Sequence, residues 1–403
     1  MMQDDLIALL DRFAAIGATP DKGVCRLTGN PEDGAARELF AQIAAARGAS
    51  LGTDAVGNMF ATFATAPGAQ STILCGSHLD SQPTGGRFDG SLGVLAALDA
   101  ASALYAEGGR YAHNLTVVNW TNEEGARFQP SLTGSSVFTG KYTAEFALGL
   151  RDRLGVSMGE ALAQIGYLGD EALGLTPVHN VELHVEQGGH LDETGVQIGA
   201  VTASWGVRKL TLSFVGAPSH TGPTAMAKRR DAMRAAALAI TEFHAQMEAE
   251  PGQLHWSAAK IVAEPDSPNV VASRVTVYFE IRNPDQRICT KAGDRFMAAI
   301  TPAIAALGCA IEIATDEARP GTQLSPEGVA LTLKVAAELG LSATDMLTIT
   351  GHDALALAAV MPSTLVFVPS VGGLSHSPQE LTLPEDLRNG GAVIREMLRR
   401  LAS

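Results

Sequence analysis

Histidines and carboxylates gather just past four predicted buried strands of this chain, and that pattern constrains the fold more than anything else in the sequence. STILCGSHLD ends in His78 and Asp80, and the glycine-rich GGRFDG follows with Asp89. LTVVNWTNEEG delivers Glu123 and Glu124, NVELHVEQG delivers His184, and TLVFVPSVGGLSHSPQE delivers His376. Short segments rich in Val, Ile and Leu suit strands buried on both faces of a parallel sheet. Parallel strands present their carboxyl ends along one edge, where open α/β sheets bind ligands. Imidazole and carboxylate are the donors that borderline and hard divalent metals take. The pattern therefore predicts an α/β fold with a two-metal hydrolase site along one sheet edge.

The spacing between the runs supports that fold. Helical periodicity covers Asp4 to Ile16, Pro31 to Arg47 and Leu92 to Glu107, and the strands Thr72–Cys75, Thr116–Trp120 and Val181–Val185 alternate with helices. Such alternation implies βαβ units, and so a mixed, mainly parallel sheet with helices on both faces. Near Ser204 the character changes. VRKLTLSFVG alternates like a half-exposed strand, a helix is expected from Ala225 to Ala249, and WSAAKIVAE and NVVASRVTVYFEIR read as strands. A helix from Asp285 to Leu307 then leads into CAIEIATD. Strand, helix, two strands, helix, strand is a ferredoxin-like α+β unit. An exposed sheet edge there would invite a second copy, so the segment is a candidate dimerisation or lid domain. After Gln323 the α/β style resumes. The expected organisation is a catalytic domain of 1–205 and 323–403, interrupted by an inserted domain of 206–322.

Composition narrows the function. At 403 residues the chain exceeds one ordinary core, and 46% hydrophobic residues supply enough apolar surface for two. A formal charge of −14 argues against nucleic acid or an anionic membrane as partner. Cys25, Cys75, Cys289 and Cys309 form no CxxC pair, and the first residues carry acids where a secretory signal needs bases. Both point to the cytoplasm. The apolar stretch Ala354 to Leu374 contains Pro362 and Pro369 and reads as helix, turn and strand, not a membrane span. Neither a Walker A loop nor a G-x-S-x-G elbow is present.

Each candidate residue also has a plainer reading. His78 precedes Leu79-Asp80, and a carboxylate two residues on can orient an imidazole that ligates through its other nitrogen. Asp89 alone would pass for a helix N-cap, yet its two oxygens can bridge two cations. The adjacent Glu123 and Glu124 repel each other unless a cation intervenes, in which case one ligates and the other is free to take a proton from water. His184 and His376 would each pass singly for structural histidines. Five ligand-capable positions at successive strand ends, with a carboxylate to spare, are hard to explain by chance. His113, His179, His190, His244 and His255 lie in polar surroundings in the sequence and are expected to be solvated.

The motifs GSHLDSQPTGGRFDGSLGVLA, TNEEGARF, ELHVEQG, SHTGPTAMAKRRDA, NVV…EIRNPD, GHDA and GLSHSPQE run through nearly the whole chain. With them the sequence resembles the hydantoinase/carbamoylase-type amidases, the N-carbamoyl amino acid and allantoate amidohydrolase branch of the M20 metallopeptidase-like superfamily. The resemblance implies two divalent metal ions per subunit, with zinc as the default and manganese, cobalt or nickel as options. His78, Asp89 and His184 would hold one, and Asp89, Glu124 and His376 the other. Glu123 would be the general base. Gln187, His220, Asn269, Arg282 and Gly351 match the family's substrate residues, and His220 would also stabilise the oxyanion. The family further implies a homodimer in which His220 reaches toward the partner's site. Its substrates would be small carboxylate-bearing ureido compounds, bound with neither nucleic acid nor membrane involved. Arg282 suits a carboxylate because guanidinium offers a planar fork of donors. The chain departs from many relatives at Thr221–Met226, at Thr348–Thr350 and at Gly188-Gly189. All three departures lie on the substrate side. The implied reaction is hydrolysis of an N-carbamoyl amino acid, with allantoate and then N-acyl amino acids or dipeptides as alternatives.

Overall fold

The structure is a computed structural model that describes residues 6–169, 174–250 and 253–403. The chain packs as two compact units, one of Met1–Ala203 with Gln323–Ser403 and the other of Ser204–Thr322. The first unit opens with α1 (Leu6–Ala14), α2 (Pro31–Ala46), β1 (Ser50–Thr53), β2 (Met59–Phe63), β3 (Ser71–His78), α3 (Ser91–Ala106) and β4 (Asn114–Trp120). It continues through α4 (Thr133–Phe138), α5 (Ala144–Gly149), α6 (Met158–Gln164), β5 (Thr176–Val185), α7 (His190–Thr194) and β6 (Ile198–Ser204). Asp4 and Asp5, expected to open the first helix, lie outside the described residues. From Leu6 on, Leu6, Leu9, Leu10 and Phe13 form the buried stripe of α1 at helical spacing. Asn30 caps α2 by accepting from the Asp33 N–H, with Pro31 in its first turn.

The second unit contains β7 (Gly206–Val215), β8 (Ser219–His220), α8 (Ala232–Glu248), β9 (His255–Glu264), β10 (Val270–Val271), β11 (Arg274–Asn283), α9 (Gln286–Ala306) and β12 (Ala310–Arg319). Its four-stranded sheet runs β12-β7-β11-β9, antiparallel throughout. Its core joins Leu210, Leu212, Phe214, Val277 and Phe279 of the sheet to Phe243 of α8 and Phe296 of α9. Two expectations change here. Helix α8 begins at Ala232 and not near Ala225, because the Asp231 carboxylate accepts from the N–H groups of Met233 and Arg234 and fixes the N-terminus there. The run NVVASRVTVYFEIR is two strands, since Val270–Val271 leaves the main sheet to pair with Ser219–His220.

The first unit closes with α10 (Pro326–Glu338), β13 (Ala343–Thr348), α11 (Asp353–Leu357), β14 (Ser363–Val368) and α12 (Pro384–Ala402). Its eight-stranded sheet has the order β1-β2-β4-β3-β5-β14-β6-β13. The four central strands β4, β3, β5 and β14 are mutually parallel, and β2 and β6 flank them antiparallel. The fold is thus mixed α/β with a largely parallel centre. On one face, residues such as Cys75, Val117, Leu183 and Val366 pack on α1, α3 and α12. On the other, Leu74, Val118 and Trp120 meet Leu357 of α11. Helix α3 is buried nearly all round. It presses on the sheet at Gly93, where an added Cβ would lie 2.5 Å from the Leu183 carbonyl and 2.6 Å from the Ser77 Cβ. Among the described residues no helix is long and apolar enough to cross a membrane.

Candidate metal centre

Parallel register brings the expected residues to one edge. His78, the last residue of β3, is level with Trp120 of β4, and His184 of β5 is level with Phe367 of β14. Asp89 stands just before α3, Glu123 and Glu124 follow β4, and His376 follows β14. Asn122, Gln187 and His376 have φ of 56°, 61° and 52°, a left-handed backbone that non-glycine residues rarely adopt. Strain of this kind collects where turns must aim side chains at a site.

The Asp89 carboxylate divides the cluster. Its Oδ1 lies 3.2 Å from His184 Nε2 and 3.6 Å from His78 Nε2. Its Oδ2 lies 3.4 Å from His376 Nε2, which in turn is 3.4 Å from Glu124 Oε2. Two three-residue groups result, His78–Asp89–His184 and Asp89–Glu124–His376, each with donor atoms within 4.8 Å of one another. Glu123 belongs to neither, and its Oε2 is 3.5 Å from His78 Nε2.

This donor set fits a pair of divalent cations. The Nδ1 of His78 is 2.9 Å from the Asp80 carbonyl, and the Nδ1 of His184 is 2.9 Å from the Val185 carbonyl. An imidazole that donates its Nδ1–H to a carbonyl turns the Nε2 lone pair toward the site, which is how metal-binding histidines are held. The sequence suggested that the Asp80 carboxylate orients His78. Instead the Asp80 carbonyl does so, and the carboxylate oxygen sits farther off at 3.6 Å. That carboxylate accepts from Thr28 Oγ1 and from the backbone N–H groups of Glu123 and Glu124, tying the end of β3 to the turn after β4.

The buried charges of the cluster shift one another's protonation. Burial, reinforced by Asp89, pushes the Glu124 carboxyl up to about 8. Burial also drives Glu123 well up, helped by Asp353 and Glu124 and opposed by His78. Burial alone would lower both histidines, but Glu123 and Asp89 hold His78 well above its usual value, and Asp89 raises His184. Burial thus favours the protonated form of Glu123 and Glu124 while the two histidines hold Asp89 ionised, and a divalent ion would offset the same crowding of charge.

The other expected residues lie as follows. Gln187, half-buried, donates from Nε2 to Asp89 Oδ2 at 3.0 Å. Gly351 is exposed beside His352, and an added Cβ there would lie 3.6 Å from Leu132 Cδ1. His220, Asn269 and Arg282 belong to the second unit. His220 ends β8 and Asn269 immediately precedes β10, and the Thr221 N–H donates to the Asn269 carbonyl. Arg282 of β11 donates from Nε to Glu280, which also pairs with Lys209. Among the histidines expected to be solvated, His179 is a correction. It is buried on β5 with Nε2 2.8 Å from Thr364 Oγ1, and burial pushes its pKa down to about 4.

Sequence reasoning missed four buried residues. His352 stacks edge-on against His184 and lies 2.7 Å from Thr350 Oγ1. Glu182 accepts from Ser77 Oγ and the Ala354 N–H, and its donor atoms group with those of His184 and His352. Asp353 is buried beside His352, and Glu380 is buried against the Asp89 loop. Each stands inside a motif already singled out, but nothing in a single sequence separates them from their neighbours.

Comparison with known proteins gives the family. Residues 74–400 match the model of peptidase family M20/M25/M40. The N-carbamoyl-L-amino-acid amidohydrolase of Rhizobium meliloti is 38% identical over 385 residues, covering 94% of this chain and 91% of that protein. The allantoate amidohydrolase of Bacillus subtilis is 31% identical over 409 residues, covering 100% and 98%. A hydantoinase/carbamoylase family amidase of Burkholderia vietnamiensis superposes with a TM-score of 0.93 at 35% identity, over 99% of this chain and 97% of that one. The chain belongs to peptidase family M20/M25/M40 and, within it, to the hydantoinase/carbamoylase amidases, hydrolases of carbamoyl and ureido C–N bonds.

Proposed function

We propose that this protein hydrolyses the carbamoyl C–N bond of an N-carbamoyl amino acid, releasing the amino acid, ammonia and carbon dioxide. The observation that carries the reading is the division of labour at Asp89, whose two oxygens face separate ligand groups while Glu123 is left over. The substrate class rests on the carbamoylase relative being more similar over this length than the allantoate amidohydrolase. His78, Asp89 and His184 would hold one ion, and Asp89, Glu124 and His376 the other, with zinc the metal we favour over manganese, cobalt or nickel. Such a pair would supply Lewis-acid polarisation of the carbonyl and acidify the attacking water.

The chain's own residues do the rest. Glu123 takes the proton of the attacking water and hands it to the departing nitrogen, so its carboxylate must stay free of ligation. The C–N bond to the amino acid breaks, and carbamic acid falls apart to ammonia and carbon dioxide. Arg282 takes the substrate carboxylate, with Gln187, Asn269 and Gly351 completing recognition, and His220 donates to the oxyanion. We also propose a homodimer, through the exposed edges of the second unit's sheet. The four free cysteines fit a cytoplasmic enzyme.

A substrate panel tests this. Zinc-loaded protein is assayed for ammonia and amine release from N-carbamoyl-β-alanine, several N-carbamoyl-L-α-amino acids, allantoate and an N-acetyl amino acid. One of the carbamoyl compounds should have the highest kcat/KM, by at least about tenfold. Preference for allantoate would move the assignment to that relative's activity, and preference for the N-acetyl compound would make the enzyme an aminoacylase.

A further inference from the structure

Two of the loops that carry expected metal ligands are 292 residues apart in the chain, and one buried carboxylate joins them. Glu380 is 5% exposed. Its Oε1 accepts from the backbone N–H groups of Phe88 and Asp89, both at 3.0 Å. Its Oε2 lies 3.0 Å from Ser375 Oγ, and that hydroxyl is also 3.2 Å from Asp89 Oδ2. The Asp89 backbone and side chain are therefore both tied to the segment Ser375–Glu380, which carries His376.

The fit around this carboxylate is close. A Cβ added at Gly86 would lie 2.2 Å from Glu380 Cδ and Oε1, so the glycine of GGRFDG leaves room for the glutamate. Nothing in a packed interior requires a carboxylate here, and an ordinary apolar contact would bury the same volume without the desolvation penalty. What an apolar residue cannot do is accept from two consecutive N–H groups and a hydroxyl at once. His376 also has a φ of 52°, a conformation that persists only where surrounding contacts over-determine it.

We propose that Glu380 is a positioning residue that locks the Asp89 loop to the His376 loop and so fixes how the shared carboxylate is divided between the two metal sites. The proposal rests on the reading that Asp89 and His376 are ligands. Outer partners of this kind typically change metal affinity by about 10- to 100-fold when removed. Ser375 extends the same link to the Asp89 side chain. Glu380→Gln keeps one oxygen to accept from the two N–H groups and an amide that can donate to the Ser375 hydroxyl, so it preserves the connection.

The test is zinc binding by the full-length protein, titrated against a chromophoric chelator, with metal content counted per chain. Glu380→Ala should weaken the weaker zinc by at least about tenfold and leave chains holding nearer one ion than two. Ser375→Ala should weaken it by about three- to tenfold, and Glu380→Gln should stay within about threefold of the native chain. Unchanged zinc affinity in Glu380→Ala overturns the proposal, as does loss of melting temperature in the metal-free protein with both zinc sites intact. If Glu380→Ala does not fold, native-like binding by Ser375→Ala overturns it instead. Asp89→Asn separates the two readings. If that change leaves zinc binding intact, the metal-site reading itself has failed. If it abolishes binding while Glu380→Ala does not, only the role of Glu380 is wrong.

Discussion

At the scale of single residues, two neighbours in sequence stand in different surroundings. Glu124 shares a donor group with His376, while Glu123 points to the other side, 3.5 Å from His78. Glu123→Gln should therefore lower kcat by about 10²- to 10⁴-fold while the protein keeps two metals per chain, as counted by mass spectrometry. Loss of metal together with activity would make Glu123 a ligand and not a base. His179 makes a prediction about pH. Its pKa lies near 4 in the folded chain and near 6.5 unfolded, so between those values the unfolded state binds the extra proton. Stability is full above about pH 6.5, falls as pH drops, and levels off below about 4, a loss of up to about 3 kcal/mol. His179→Gln, which can still bond to Thr364, should flatten that part of the pH profile in denaturant titrations of the metal-free protein. An unchanged slope would show that His179 is protonated equally in both states.

At the scale of elements, strand ends and helix starts do the positioning. Gly90 precedes α3 with a φ of 63°, and an added Cβ would lie 2.4 Å from His78 Cε1. Gly90→Ala should push His78 off its bearing and weaken metal binding by about 10- to 100-fold, with the circular dichroism of the fold retained. Native affinity in that variant would mean that the imidazole can shift without loss. The buried strands β3, β4, β5 and β14 were legible in the sequence because short segments rich in Val, Ile and Leu stand out between turns and helices. The edge strands β1 and β13 were not, because an exposed edge strand needs no such pattern, and β2 and β6 went unread because Ala, Gly and Thr dilute theirs. Helices α4, α5 and α6 escaped for a related reason. They are six or seven residues long, too short for a helical period to stand out, and their small core around Phe128, Met158 and Leu162 exists only once they meet.

At the scale of the whole molecule, each compact unit has its own hydrophobic core, and every expected metal ligand belongs to the first. Chelation should then act on one unit only. Calorimetry with excess chelator should show one transition lowered by roughly 10 °C and a second left in place, since a bound ligand stabilises only the part that binds it. A single transition that moves as a whole would mean that the two units unfold together.

The sequence by itself determined the fold class and the family and singled out the candidate donors, because buried parallel strands, glycine-rich turns and imidazole–carboxylate chemistry each demand particular residue types at particular spacings. Only the tertiary structure decided how those donors are shared. The two faces of Asp89, the carbonyls that hold His78 and His184, and the Glu380 link depend on contacts between segments far apart in the chain. Residue type sets what a group can bond, but its partner is chosen by packing, which a linear pattern does not encode.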